Sequence, residues 1–109
     1  MLTRHLLPYM KSQSHKSCIV IVSSGGVHYP VMPYLTTYIA TKAYNLSFGQ
    51  CLAEELKGSN VEVHVTCPGH VMTYEGKVGG FTISTEMNAK AMLGCLGYGE
   101  VYNYGHWRH

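Results

Sequence analysis

CIVIVSSGG, residues 18–26, decides the fold of this chain. Five apolar residues run without a polar break and then stop at two serines and two glycines. A continuous β-branched run of that length predicts a strand buried on both faces of a parallel sheet. Downstream, GGVHYPVMPYLTT at 25–37 is a loop punctuated by Gly and Pro, and Thr36 or Thr37 is placed to cap the helix that follows. That helix is expected over 38–57, with Gly58 as its left-handed stop. Its apolar residues (Ile39, Ala43, Leu46, Phe48, Cys51, Leu52, Leu56) spread over more than one stripe, which predicts packing on a sheet with one side and on another helix or subunit with the other. VEVHVTC at 61–67 alternates valines with Glu62, His64 and Thr66, the period of a strand with one polar face. PGHVMT breaks it, residues 76–80 form a loop, Ser84 or Thr85 caps a second helix reaching Leu96, and VYNY at 101–104 reads as a last strand. Upstream, LTRHLLPYM at 2–10 reads as the tail of a helix interrupted by Pro8, joined to the first strand by a polar connector. Strand, helix, strand, helix, strand is the order of an α/β parallel sheet with right-handed crossovers.

The remaining bounds come from composition. With 109 residues the chain reads as one domain, 1–109. Its net charge of +2 and a charged fraction of 13%, against about 25% in an average soluble domain, leave neither a basic stripe for nucleic acid nor an acidic tail. So low a charge fraction also predicts surfaces that are normally covered. Cys18, Cys51, Cys67 and Cys95 lie far apart with no C-x-x-C pair, and are expected to be reduced core thiols. The histidines, among them His28, His64, His70, His106 and His109, lack the tight spacing of a zinc ligand set, so no metal is expected. No run approaches the ~20 apolar residues of a membrane helix, and residues 1–10 do not resemble a secretory signal. The expected compartment is a reducing one, the cytoplasm.

Three motifs carry chemistry: Ser23-Ser24 at the end of a strand, Tyr38-x-x-x-Lys42 at the start of a helix, and Pro68-Gly69-x-Val71-x-Thr73 at the end of the next strand. In open α/β sheets, ligands bind at the carboxyl ends of strands, where all three fall. Tyr38 and Lys42, at i and i+4, share a helix face and can address one ligand. A free phenol has a pKa of about 10 and is a poor base at neutral pH, and an ammonium in a partly dry cleft is the kind of neighbour that changes this. A serine hydroxyl aimed at the same point can hold a carbonyl oxygen. Tyr29, Tyr34 and Tyr74 sit in loops near the same end, as pocket lining or as surface packing.

In this order and nearly this spacing, VSSGG, Tyr38-Ile-Ala-Thr-Lys42 and PGHVMT resemble the short-chain dehydrogenase/reductases, and the resemblance extends over almost the whole chain. It implies a partial Rossmann-like, doubly wound parallel sheet of about three strands with flanking helices. It further implies an oxidoreductase that interconverts a carbonyl and an alcohol with NAD(P)(H), NADP being slightly favoured. Tyr38 would be the general acid or base. Lys42 would tune Tyr38 and hydrogen-bond the nicotinamide ribose. Ser24 would orient the substrate oxygen, with Ser23 as a second candidate, because the interval from Ser24 to Tyr38 is one residue longer than the family's usual spacing. Backbone groups at Pro68, Gly69 and Val71 would face the nicotinamide amide, and the Thr73 hydroxyl would lie by the carboxamide or the diphosphate. The 109 residues contain no G-x-x-x-G-x-G turn, so they correspond to the family's C-terminal catalytic half. The flanking strand that half would lack leaves CIVIV as an apolar edge. The loop and helix sequence PVMPYLTTYIATKAYNLSF looks closest to branches that act on steroid or long-chain acyl ketones, whose full-length members carry a membrane anchor. The implied partners are a small carbonyl or alcohol substrate of lipid or steroid type, and a second copy or a full-length relative docked on the long helix. The alternative reading is a catalytically inactive fragment that serves as a dimerisation or interaction module.

Overall fold

A computed structural model describes residues 2–29, 31–72, 82–99 and 101–103. Its elements in chain order are α1 (Leu2–Ser12), β1 (Ser17–Val22), a short 3-10 turn (Gly25–His28), α2 (Thr36–Glu55), β2 (Val61–Thr66), β3 (His70–Met72), β4 (Thr82–Ser84), α3 (Thr85–Gly94) and β5 (Tyr102–Asn103). The fold is α/β. β1, β2 and β5 form a parallel sheet in the order β1-β2-β5, and β3 and β4 form a separate parallel pair.

The β1–β2 ladder runs from Ser17 opposite Val61 to Val22 opposite Thr66. One face of it carries the core: Leu52 of α2 and Leu56, its C-cap, pack on Val61 and Val63, with Leu7 and Met10 of α1 and Ile19 and Ile21 of β1 against them. Leu7 and Met10 are one helical turn apart, so α1 turns one face to this cluster and leaves Leu2, Leu6 and Tyr9 exposed. Pro8 sits inside α1 and removes one backbone donor from it. The Asn60 side-chain amide reaches the carbonyls of Met10 at 3.0 Å and Gln13 at 2.9 Å, tying the end of α1 to the start of β2. α2 lies unusually close to the sheet at Gly49, where any Cβ would collide with Val65.

The two main strands exchange the environments that their patterns predict. The continuous apolar run, β1, is the sheet's edge: Val20 and Val22 are 37% and 49% exposed. The alternating run, β2, is central, and only Glu62 in it escapes full burial. Burial here follows position in the sheet, because β2 is flanked by β1 and β5 whereas β1 has one neighbour among the described residues.

Neither Thr36 nor Thr37 caps α2: Leu35 is the N-cap and makes no side-chain cap bond, and both threonines are already helical. The outer side of α2 is open among the described residues, with Tyr44 at 57% exposure and its ring stacked on Phe48 at 5.9 Å. Of the four cysteines only Cys67 is a core thiol; Cys18 and Cys95 are half-buried and Cys51 is exposed on α2. Ser84 does cap α3, its hydroxyl accepting the Met87 amide at 3.2 Å. Among the described residues no helix is long and apolar enough to cross a membrane.

Candidate active site

The ladder outlasts the strands. Beyond Val22, the Ser23 amide donates to the Thr66 carbonyl at 2.8 Å and the Gly25 amide donates to the Pro68 carbonyl at 2.8 Å. Ser23-Ser24-Gly25 and Cys67-Pro68-Gly69 are thereby held side by side at the carboxyl ends of β1 and β2. A Cβ on Gly25 would lie 3.3 Å from the Pro68 oxygen, so glycine there lets the two segments close up.

The two serines have different tasks, as strand alternation requires. Ser23 is 2% exposed, and its hydroxyl donates to the Lys42 main-chain carbonyl at 2.6 Å, which pins the first turns of α2 to the end of β1. Ser23 does not line the cleft in front of these segments. Ser24 caps the 3-10 turn, its Oγ accepting the Gly26 amide at 3.2 Å. Accepting that bond leaves the Ser24 hydroxyl proton to be donated.

An open cleft of about 730 Å³ lies in front of these segments, and Ser24, Tyr38, Cys67, Pro68 and Gly69 all line it, with Tyr29, Met32 and Ile39 as its apolar wall. Tyr38 is 47% exposed. The Lys42 ammonium lies 5.9 Å from the centroid of the Tyr38 ring, at the outer limit of cation–π range, and donates to the Val22 carbonyl at 3.1 Å. Lys42 is thus behind the tyrosine and outside the cleft lining. Val71 is in β3, paired with Ile83, and also lies outside that lining. Thr73 and Tyr74 fall outside the described residues. Tyr29 lines the cleft, whereas Tyr34 is fully exposed at positive φ and contributes nothing to it.

Cys67 is the lining residue that motif reading passes over. It is 1% exposed, and burial pushes its thiol above the ordinary 9.0, partly offset by hydrogen bonds with the Ser23 side chain and the Ser24 main chain. Its position directly before Pro68-Gly69 was the available signal. Asn45 also escapes a motif search: its amide donates to the Val22 carbonyl at 3.3 Å, beside Lys42.

Known proteins resemble this chain. The family model described as short chain dehydrogenase matches residues 1–77. The very-long-chain 3-oxoacyl-CoA reductase of Bos taurus is 44% identical over 77 residues, 71% of this chain and 24% of its own length. The very-long-chain 3-oxoacyl-CoA reductase-B of Danio rerio is 34% identical over 99 residues, 88% of this chain and 31% of its own length. The chain therefore spans about a quarter to a third of the curated relatives it matches. Among solved structures, serine dehydrogenase from Escherichia coli superposes with a TM-score of 0.57 at 26% identity, over 77% of this chain and 45% of that one.

Proposed function

The chain belongs to the short chain dehydrogenase family, and on that premise we propose that it forms the catalytic half of an oxidoreductase that interconverts a carbonyl and an alcohol. The observation that carries the reading is the meeting of Ser24, Tyr38 and Pro68-Gly69 in one cleft, with the Lys42 ammonium behind the tyrosine ring. Ser24 donates its hydroxyl proton to the substrate oxygen and fixes its direction. Tyr38, on the same cleft wall, delivers a proton to that oxygen during reduction and takes it back during oxidation. Lys42 holds positive charge beside the ring while the phenol gives up its proton.

NAD(P)H, when bound, supplies the hydride. The residues present fit its nicotinamide end: main-chain groups at Pro68 and Gly69 border the cleft, and a volume of about 730 Å³ lies within the ~300–1,000 Å³ usual for small-molecule sites. Of the two phosphorylation states of the dinucleotide, NADP is the one we favour. Tyr29, Met32 and Ile39 give the cleft an apolar wall suited to a long-chain or steroid-like carbonyl compound. The free thiols suit a reducing compartment such as the cytoplasm.

Titrating the purified chain with NADPH, and following reduction of a 3-oxoacyl thioester, tests the reading. Saturable binding lost in Lys42→Ala, and turnover reduced about 10²–10⁴-fold in Tyr38→Phe, are expected. Full turnover by Tyr38→Phe would overturn it.

A further inference from the structure

Gly26 lines the cleft two residues past Ser24, and its lack of a side chain has a steric cause. Its φ lies outside the left-handed region, so glycine is not there for the conformation of the turn. What a side chain would lack is space. A Cβ there would lie 2.9 Å from Ile39 Cδ1 and 3.1 Å from Met32 Sδ, against about 3.5–4.0 Å in ordinary contact. Both atoms are the far ends of side chains that line the same cleft. Gly25 is crowded differently, by the Pro68 backbone oxygen, and Gly49 by Val65 of the sheet.

The backbones at this point are held. The Gly26 amide donates to Ser24 Oγ at 3.2 Å, and its carbonyl accepts the Tyr29 amide at 3.2 Å. Ile39 is carried on α2, its amide donating to the Leu35 carbonyl at 2.9 Å. A methyl group on Gly26 is therefore accommodated by the two side-chain ends, which rise off the turn into the space they border. Because Ile39 follows Tyr38 directly and Gly26 lies two residues past Ser24, that space adjoins the place of the substrate oxygen. We infer that Gly26 is a specificity-determining residue: the absence of its side chain keeps Ile39 and Met32 seated against the turn, and the cleft thereby admits a ring-sized apolar group beside the reacting carbonyl. The inference rests on the dehydrogenase reading for placing a carbonyl in this cleft, and deepens it by naming the group beside that carbonyl.

The test pairs two ketones of equal carbon count, trans-1-decalone, a fused ring, and 2-decanone, an open chain. The full chain is labelled with ¹³C at its methionine methyl groups, and the Met32 signal is assigned by its loss in Met32→Leu. Each ketone is titrated against that signal with NADP⁺ present, which has no hydride to give and leaves the ketone intact. Gly26→Ala should weaken decalone relative to decanone about tenfold, the worth of one methyl-sized group in an apolar pocket. Adding Ile39→Val, which removes the crowding Cδ1, should recover most of that ratio. Ile39→Val by itself should move the ratio toward decalone, and it carries the test if Gly26→Ala does not fold. An unchanged ratio in Gly26→Ala or Ile39→Val, no recovery in the double variant, or a Met32 signal that neither ketone moves would each overturn the inference. Binding of NADP⁺ alone is the separate arm: its absence counts against the dehydrogenase reading, while the ketone ratio still decides the role of Gly26.

Discussion

Replacing Ser23 with alanine removes a hydroxyl that is 2% exposed and bonded at 2.6 Å to the Lys42 carbonyl. The expected cost is about 1–3 kcal/mol, read as a lower urea midpoint with unchanged slope. Ser24→Ala, whose hydroxyl makes only a 3.2 Å bond in a half-buried turn, should cost less stability and more turnover. The contrast separates two adjacent serines that composition and spacing treat alike. That Tyr38, Lys42 and the Ser23-Ser24 pair meet at one end of the sheet was legible in the sequence, because their spacing on a helix and at a strand end is itself the signal. The assignment between Ser23 and Ser24 was not, because it depends on which face of the extended chain meets α2. Asn45 had no signal at all: its bond to the Val22 carbonyl joins residues more than twenty positions apart.

The elements owe their limits to contacts of different range. β1, α2 and β2 fall within two residues of their expected bounds, since periodicity and the positive-φ Gly58 are local properties. The β3–β4 pair was invisible because three-residue strands have no period, and their pairing joins His70–Met72 to Thr82–Ser84 across an intervening segment. The capping of α2 by Leu35 instead of a threonine shows tertiary placement overriding a local preference. Asn60 offers a test at this scale. Its amide joins the end of α1 to the start of β2, so Asn60→Ala should fray α1 and cost about 1–2 kcal/mol, seen as faster amide exchange in residues 9–13 than in β2.

For the whole molecule, the radius of gyration is 15.2 Å, against about 13 Å for a compact domain of this length. Among the described residues, apolar side chains of α1, β1 and the outer side of α2 are exposed. A charge on β1, which has one neighbouring strand among the described residues, should suppress association: Val20→Lys is expected to lower light scattering at a given concentration without lowering the urea midpoint of the monomer. Stability should also depend on alkaline pH. Burial raises Cys67, and burial together with the Glu62 charge raises Cys18, so the folded chain holds these protons more tightly than the unfolded one. Their contribution is complete below 9.0 and is lost as pH rises past that value through the raised folded ones, so the urea midpoint should fall over that range and fall less in Cys67→Ala.

The Val22 carbonyl has a consequence for mutational scanning. What position 22 contributes to Lys42 and Asn45 is a main-chain atom, and its side chain is 49% exposed. Every amino acid that accepts an extended conformation supplies the same oxygen, so a library of all substitutions would score this position as tolerant. Only backbone chemistry, such as a thioamide in place of the amide by semisynthesis, would expose how much the lysine depends on it.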